Sequence, residues 1–310
     1  MQDPLEAYCY VGIVHPMAFP ECLGGEGPII ETLSKIATDP FFSAVEVSWM
    51  KDAKVRAQAA ELLATSGMEV IFTAQPAMLQ QGLSLCSLDS AKRKAAIKGA
   101  KELVDQAYEL GATLMAVLSG PDPGEADRPK ATETLIDSLQ HLCAYAQEKS
   151  EDRMISISLE NFDRELDKKQ LIGPTKEAAE VAEAVWGKYS NFGLTIDLSH
   201  LPQLRERADE TVLAAVDRLI HVHIGNCVVS DPSHRAYGDK HPRFGVAGGG
   251  VGVEEVKRFL EALIYAGYFK RNTPTAMPVV SFEVRPGPGE RPELVIANAK
   301  RTLVHAWAKM

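Results

Sequence analysis

Eight times along the chain, a short run of β-branched and other apolar residues alternates with a longer stretch that has the period of an amphipathic helix. This alternation is typical of strand–helix units around a parallel sheet, because each helix covers one face of its strand. The strands are predicted at residues 11–14, 44–49, 69–73, 114–118, 155–159, 193–196, 219–224 and 279–282. Eight units are the number that closes a (β/α)₈ TIM barrel, so we predict that α/β fold.

The main alternative is a doubly wound open sheet, which also alternates strands and helices but usually stops at five or six strands. Its phosphate-binding G-x-G-x-x-G motif is missing after the first strand. The 310 residues, of which 45% are hydrophobic, suit one barrel domain over residues 1–310. Its helices are predicted at residues 51–66, 90–110, 130–149, 175–189, 206–216, 254–266 and 291–309.

The charge balance and the apolar runs limit the partners of the chain. A formal net charge of −9, with no basic run to offset it, disfavours nucleic acids and anionic membranes. No segment is long and apolar enough for a membrane span, and the N-terminus lacks a secretory pattern. The five cysteines are scattered and never spaced as C-x-x-C, so they predict neither disulfides nor a thiolate metal site. We therefore expect a cytoplasmic protein without nucleic-acid or membrane partners.

Three of the predicted loops that follow strands are unusually long. They cover residues 74–89, 161–174 and 225–253. In (β/α)₈ barrels the loops after the strands build the active face, and loops of this length are usually binding loops or lids. We expect a substrate to be enclosed from this side.

Four consecutive predicted strands, the fifth to the eighth, each end close to a potential metal ligand. These residues are Glu160, Asp197, His223 and Glu283. Consecutive strands of a closed barrel are neighbours, so the four side chains can converge at its mouth. Three carboxylates and one imidazole suit Mn²⁺ or Mg²⁺ best, and Co²⁺ or Zn²⁺ also fit. We predict one divalent cation and no organic cofactor.

Each of these residues taken alone has a simpler explanation. A single acid after a strand is usually a helix N-cap or a solvated loop residue. The set of four favours a metal, because three buried acids repel one another unless a cation offsets their charge.

The motifs around these ligands resemble those of the xylose isomerase-like barrels, a superfamily of sugar isomerases, ketose 3-epimerases and base-excision endonucleases. The resemblance rests on S-L-E-N, D-L-S-H, H-V-H-I-G-N and F-E-V, in that order, and on the glycine-rich G-V-A-G-G-G-V-G-V-E-E segment. It covers nearly the whole chain. It implies that Glu160, Asp197, His223 and Glu283 are the four metal ligands, and it does not specify a substrate.

For the sugar-acting members, the resemblance implies proton transfer next to a carbonyl. Glu160 and Glu283 would be the catalytic acids and bases on opposite sides of the reacting carbon, with a cis-enediolate between the two proton transfers. The leading interpretation is therefore an isomerase or epimerase of a ketose or related small, carbohydrate-like keto-sugar.

Further residues are candidates for substrate contact. His200 matches a family position that orients substrate or a carboxylate ligand, although it could simply be a helix-start histidine bonded to backbone. Arg285 lies two residues after Glu283 and therefore shares its face of the strand, but it could equally be an ordinary surface arginine. Asp239 and His241 in the long seventh loop are either substrate-loop residues or solvated polar residues.

His15 at the end of the first strand and Glu46 within the second also point towards the predicted barrel mouth, which makes them weaker candidates for substrate contact. The D-x-H spacing of Asp239 and His241 resembles an additional zinc site of the DNA-repair members, with His200 as its third ligand. However, no histidine follows the third or fourth strand. The multinuclear cluster of those nucleases is therefore incomplete here.

Other functions stay open at this point. The same enolate chemistry could serve a lyase, either a deglycosidase of 3-oxo-C-glycosides or a decarboxylase of keto-sugar acids. Such a deglycosidase could pair with a small subunit, whereas an epimerase is expected to form homo-oligomers. More remote alternatives are an abasic-site endonuclease and a barrel that binds metal without catalysis.

Overall fold

A computed structural model describes residues 3–310 as one (β/α)₈ barrel, which confirms the predicted fold class. All neighbouring strands are parallel, and they follow the order β1-β8-β7-β6-β5-β4-β3-β2. A single bridge between Val14 and Glu46 joins β1 to β2, so the barrel is nearly closed. The strands, β1 to β8, are Tyr10–Ile13, Ala44–Val47, Glu69–Thr73, Leu114–Val117, Ser156–Glu160, Phe192–Asp197, Leu219–Gly225 and Val279–Glu283.

Helices surround this barrel and cover the outer faces of its strands. The α-helices of residues 3–310, α1 to α11, are His15–Ala18, Ile29–Ala37, Ala53–Ser66, Gln75–Gln81, Ser90–Glu109, Arg128–Lys149, Thr175–Trp186, His200–Leu204, Ala208–Ala215, Val253–Tyr265 and Pro292–Ala308. The seven predicted helices are all present, with small shifts at their ends. The sequence analysis missed α1, α2, α4 and α8, which are short or lie within predicted loops.

Two separate groups of buried apolar residues support the strands. The larger group lies between the strands and the helices. The smaller group consists of Ala44, Ile71, Leu114, Ala116 and Val279. Because successive side chains of a strand point to opposite faces, Ala44 shares its inward face with Glu46, and Val45 between them packs outward. The barrel interior is therefore apolar at the level of Ala44 and polar above it.

One of the three predicted loops is partly helical. Residues 75–81 form α4, with Pro76 in the first turn and Gly82 in the left-handed conformation as its C-cap. Proline suits the first turn because its missing N–H has no partner there. The segments 161–174 and 226–252 contain neither helix nor strand, as predicted, and isolated bridges fix Val228 of the latter to Tyr237 and Gly249.

No helix in the described part of the chain combines the length and apolar character required to cross a membrane. All five cysteines are buried and free.

Candidate metal centre

The four predicted metal ligands converge at the carboxyl ends of the strands. Glu160, Asp197 and Glu283 are the last residues of β5, β6 and β8, and His223 lies two residues before the end of β7. One ligand atom from each residue lies within 4.8 Å of the others. Glu160, Asp197 and His223 are buried, while the side chain of Glu283 is 14% exposed. The structure therefore brings the four predicted ligands together in one cluster.

The imidazole of His223 is oriented by carboxylates on both sides. Its Nδ1 faces the cluster, 3.2 Å from Oε1 of Glu160 and 2.9 Å from Oε2 of Glu283. Its Nε2 lies 3.1 Å from both carboxylate oxygens of Glu46. Since a carboxylate can only accept, Nε2 carries a proton; Nδ1 also carries one while the ring is charged, and a cation between His223, Glu160 and Glu283 would take the place of that second proton. That arrangement fits a cation between them.

The electrostatics of His223 also favour a cation at this position. Burial opposes protonation of His223, but the charges of Glu46 and Glu160 outweigh burial and raise its pKa well above the usual value. For Glu46, burial acts to raise the pKa, and the neighbouring imidazoles of His223 and His221 reverse this effect and lower it. The cluster thus attracts positive charge, and its donor set of oxygens and one nitrogen fits a divalent cation.

Two of the ligand carboxylates are held by neighbouring donors. The side-chain amide of Gln75 donates to Oε2 of Glu160 at 2.5 Å, and Thr73 fixes that amide by donating to its oxygen at 2.6 Å. Asp197 accepts from the backbone N–H and from the hydroxyl of Ser199, both at 2.7 Å. These bonds limit the rotation of both carboxylates.

A second group of polar residues adjoins the cluster and shares Asp197 with it. It contains His200 and His241, whose nitrogen atoms lie close enough to Asp197 to share one ion. Nε2 of His200 is 3.1 Å and Nε2 of His241 is 2.9 Å from Oδ1 of Asp239. Burial opposes protonation of both rings, but Asp239 and Asp197 raise the pKa of His200 to about 10, and Glu283 and Asp239 raise that of His241 to about 9.

The long loops after β5 and β7 are tied together by a double ion pair. Nζ of Lys168 lies 2.7 Å from Oδ2 of Asp239, and Nζ of Lys240 lies 2.7 Å from Oδ2 of Asp167. Asp167 also accepts the backbone N–H of Asp239 at 3.0 Å. Burial opposes the charge of Lys168, but Asp239 outweighs it and raises the lysine pKa. The two loops therefore hold Asp239 and Lys168 over the centre.

His241 is positioned by an unusual backbone. Its φ is +49°, which few residues other than glycine adopt. Its carbonyl accepts the backbone N–H of Arg285 at 2.7 Å, and its Nδ1 lies only 3.0 Å from where a Cβ on Gly225 would be. Strained backbone of this kind is typical of functional sites.

A cavity of about 180 Å³ opens above the cluster. Glu160, Glu283, His241, Asp239 and Lys168 contribute its polar wall, and Arg285 lies at its exposed rim. The other lining residues are Met17, Leu23, Thr73, Gln75, Pro76, Leu79, Gln80 and Phe162. Three of the six residues predicted for substrate contact thus line this cavity or its rim: Arg285, His241 and Asp239.

The other three residues predicted for substrate contact, His15, Glu46 and His200, do not line the cavity. Nε2 of His15 bonds to the hydroxyl of Thr32 in α2 at 2.8 Å, and burial lowers the pKa of His15 to about 4. Glu46 is completely buried and bonds to His221 and His223, so it sits beneath the site and not at its surface. His200 is 1% exposed, and its Nδ1 donates to the backbone carbonyl of Asn161 at 2.8 Å, which leaves Nε2 for Asp239. None of the three lines the cavity, but Glu46 contacts His223, and Nε2 of His200 lies 3.7 Å from Oδ2 of Asp197.

The sequence analysis missed several residues of the site: Gln75, Lys168, Ser199 and His221. Gln75 and Lys168 lie within predicted loops, where no periodicity indicates direction. The two histidines of H-V-H, His221 and His223, are two residues apart in a strand, so they share a face. That spacing could have identified His221 as an inward residue.

A family model described as xylose isomerase-like TIM barrel matches residues 40–287. A solved D-tagatose 3-epimerase-like protein is 19% identical, with 97% of this chain and 99% of that chain covered and a TM-score of 0.68. The 3-keto-D-glucoside 4-epimerase YcjR from E. coli is 15% identical over 96% of this chain and 99% of its own, with a TM-score of 0.66. An AP endonuclease, family 2, from Brucella melitensis is 17% identical over 93% and 97%, with a TM-score of 0.65. No curated protein sequence matches significantly.

Fold and site together define a (β/α)₈ barrel with a candidate metal centre at the carboxyl ends of its strands. The chain belongs to the xylose isomerase-like TIM barrel family, because the family model covers most of its length. This confirms the family that its motifs indicate.

Proposed function

We propose that this protein is a divalent-metal-dependent epimerase or isomerase of a ketose or related keto-sugar. The observation that carries the proposal is the convergence of Glu160, Asp197, His223 and Glu283 on one point, with ligand atoms within 4.8 Å of one another. The similar structures described as D-tagatose 3-epimerase-like protein and 3-keto-D-glucoside 4-epimerase support the sugar class.

The same four residues would hold the cation, for which Mn²⁺ or Mg²⁺ is the best match to an oxygen-rich donor set. When bound, the ion supplies a Lewis acid that polarises a carbonyl and stabilises negative charge on oxygen.

Two carboxylates of the chain would move the proton. Glu160 ends β5 and Glu283 ends β8, and both line the cavity. One of them removes the proton from the carbon next to the carbonyl, which leaves an enediolate, and the other returns a proton from the opposite side to give the epimer. If one carboxylate instead returns the proton on the same face to the former carbonyl carbon, and the neighbouring hydroxyl becomes the new carbonyl, the product is the isomer. The bond from Gln75 keeps Glu160 directed into the cavity.

The cavity favours a small substrate. Its volume of about 180 Å³ lies below the ~300–1,000 Å³ of pockets for drug-sized ligands, and its wall alternates carboxylate, imidazole and ammonium groups with apolar side chains. Sugars carry this combination of hydroxyl groups and short apolar faces.

Proton exchange with solvent tests this function directly. The protein is stripped with EDTA, reloaded with Mn²⁺ or Mg²⁺, and incubated with individual ketoses and 3-keto-glucosides in D₂O. We expect NMR to show deuterium at a carbon next to the carbonyl with the reloaded protein and none with the stripped protein. Failure of the metal-loaded protein to exchange any keto-sugar would contradict the proposal.

A lyase is a second candidate, favoured by the position of His241. Its imidazole lines the cavity, and its Nε2 lies 3.4 Å from Oε1 of Glu283, so it can donate a proton to a leaving oxygen after the carboxylate has formed the enolate. The substrate of this reaction would be a 3-oxo-glycoside; a keto-sugar acid would instead lose CO₂ to give the enolate, which would then take up a proton. The same NMR samples distinguish the two reactions, because a lyase releases an aglycone or CO₂ and an epimerase does not.

A further inference from the structure

A buried carboxylate, Glu46, adjoins the candidate metal centre, where it contacts His223. Glu46 is on β2, across the barrel from His223 on β7, and the two are 177 positions apart in the chain. It is completely buried, although ionised carboxylates are almost never fully buried without partners. Neighbouring groups must therefore offset the charge of this carboxylate.

Two imidazoles offset the charge of Glu46. Nε2 of His221 lies 2.8 Å from Oε1 of Glu46, and Nε2 of His223 lies 3.1 Å from both carboxylate oxygens. The planes of the two rings are nearly perpendicular, at 88°, so they approach the carboxylate from different directions. Because Glu46 accepts from both, each Nε2 carries the proton.

The bond to Glu46 determines the state of the other ring nitrogen of His223, Nδ1. With one proton fixed at Nε2, loss of the second proton leaves the lone pair at Nδ1, which faces Glu160 and Glu283. A metal ligand needs this tautomer and this ring orientation, and carboxylates that accept from the far nitrogen of a ligating histidine commonly provide them.

We infer that Glu46, supported by His221, is a positioning residue that fixes the tautomer and orientation of His223 for metal binding. This inference rests on the proposed function in one respect, namely that His223 is a ligand. Glu46 itself touches neither substrate nor cation.

A second metal at Glu46, His221 and His223 is the competing explanation, because one ligand atom from each also lies within 4.8 Å of the others. The separations of 2.8 and 3.1 Å are hydrogen-bond lengths, so protons already account for the contacts. The two explanations differ in the number of ions bound.

The test measures Mn²⁺ binding to the full chain by titration calorimetry, after removal of metal with EDTA. We expect the wild type to bind one Mn²⁺ and E46Q to bind the same number with an affinity about 10- to 100-fold lower. The matched control is E69Q: Glu69 is also a buried acid with hydrogen-bond donors, Thr113 Oγ1 and Ala276 N, but it lies at the start of β3, away from the ligands. Its affinity should equal that of the wild type.

Two results would overturn the inference. One is a folded E46Q protein with wild-type Mn²⁺ affinity, and the other is the loss of a whole equivalent of metal in E46Q, which would make Glu46 a ligand. A wild-type chain that binds no Mn²⁺ would instead contradict the proposed function.

If E46Q does not fold, the tautomer of His223 can be measured in the wild type. In Mg²⁺-saturated protein with ¹⁵N-labelled histidine, we expect NMR to find the proton of His223 on Nε2. A proton on Nδ1 would show that Glu46 does not set the tautomer.

Discussion

Gln75 holds Glu160 by a hydrogen bond of 2.5 Å from its side-chain amide to Oε2 of the carboxylate. Gln75 is the first residue of α4, the short helix that follows β3, whereas Glu160 ends β5. The contact therefore links the helical part of one active-face loop to a proposed metal ligand and base. Oε1 of Glu160 faces His223.

Replacing Gln75 by Met should impair the site without unfolding the barrel. The variant keeps the length of the side chain and removes the donor, so Glu160 can rotate away from His223. We expect kcat/KM and Mn²⁺ affinity to fall by about 10- to 100-fold, as is usual when a partner of a metal ligand is lost. Gln81→Met, an exposed residue of the same helix, is the control. Equal kinetics of the two variants would show that the amide has no such role.

Lys168→Met should weaken the connection between the loops after β5 and β7. Removing one partner of a buried ion pair costs about 3–5 kcal/mol, and we expect less here because His200 and His241 still contact Asp239. The free energy of unfolding, from urea titration, should fall by about 2 kcal/mol. Lys240→Met is the matched control: its pair with Asp167 is more exposed, so the loss should stay below about 1 kcal/mol. A larger loss for Lys240→Met would contradict this ranking.

The fold and the proposed metal ligands follow from local pattern. A strand places alternate residues on one face, and consecutive strands of a closed barrel are neighbours, so acids at the ends of β5, β6 and β8 must come close together. No knowledge of side-chain packing is needed for this step. Glu160, Asp197, His223 and Glu283 were predictable for that reason.

The supporting residues depend on contacts that the pattern does not contain. Glu46 meets His223 across the interior of the barrel, which depends on barrel diameter and strand stagger. Lys168 meets Asp239 through two irregular loops whose paths are set by tertiary bonds such as that from Asp239 N–H to Asp167. The sequence therefore predicts that Glu46 points inward, but not that it lies beneath a ligand.

Gly225→Ala should disturb the centre by steric conflict. A Cβ at this position would lie 2.6 Å from the backbone carbonyl oxygen of Glu283 and 3.0 Å from Nδ1 of His241. Since a backbone oxygen of a central strand cannot easily move, we expect a loss of about 1–3 kcal/mol in stability, together with weaker Mn²⁺ binding. Gly187→Ala is the control, because its Cβ would meet its nearest atom at an ordinary 3.6 Å. Unchanged stability and Mn²⁺ affinity in Gly225→Ala would show that the strands adapt.

Protonation of His15 should lower the free energy of unfolding below neutral pH. Burial lowers its pKa to about 4, and its Nε2–H donates to Thr32, whose hydroxyl donates in turn to the carbonyl of Pro28. The fold therefore favours the neutral ring: the contribution of His15 is complete above its unfolded pKa of about 6.5 and is lost as the pH falls from there towards 4. Between pH 7.5 and pH 5, urea unfolding should show the wild type losing about 2 kcal/mol more than His15→Gln, which cannot titrate. Equal losses in both proteins would mean that His15 is protonated in the folded state without cost.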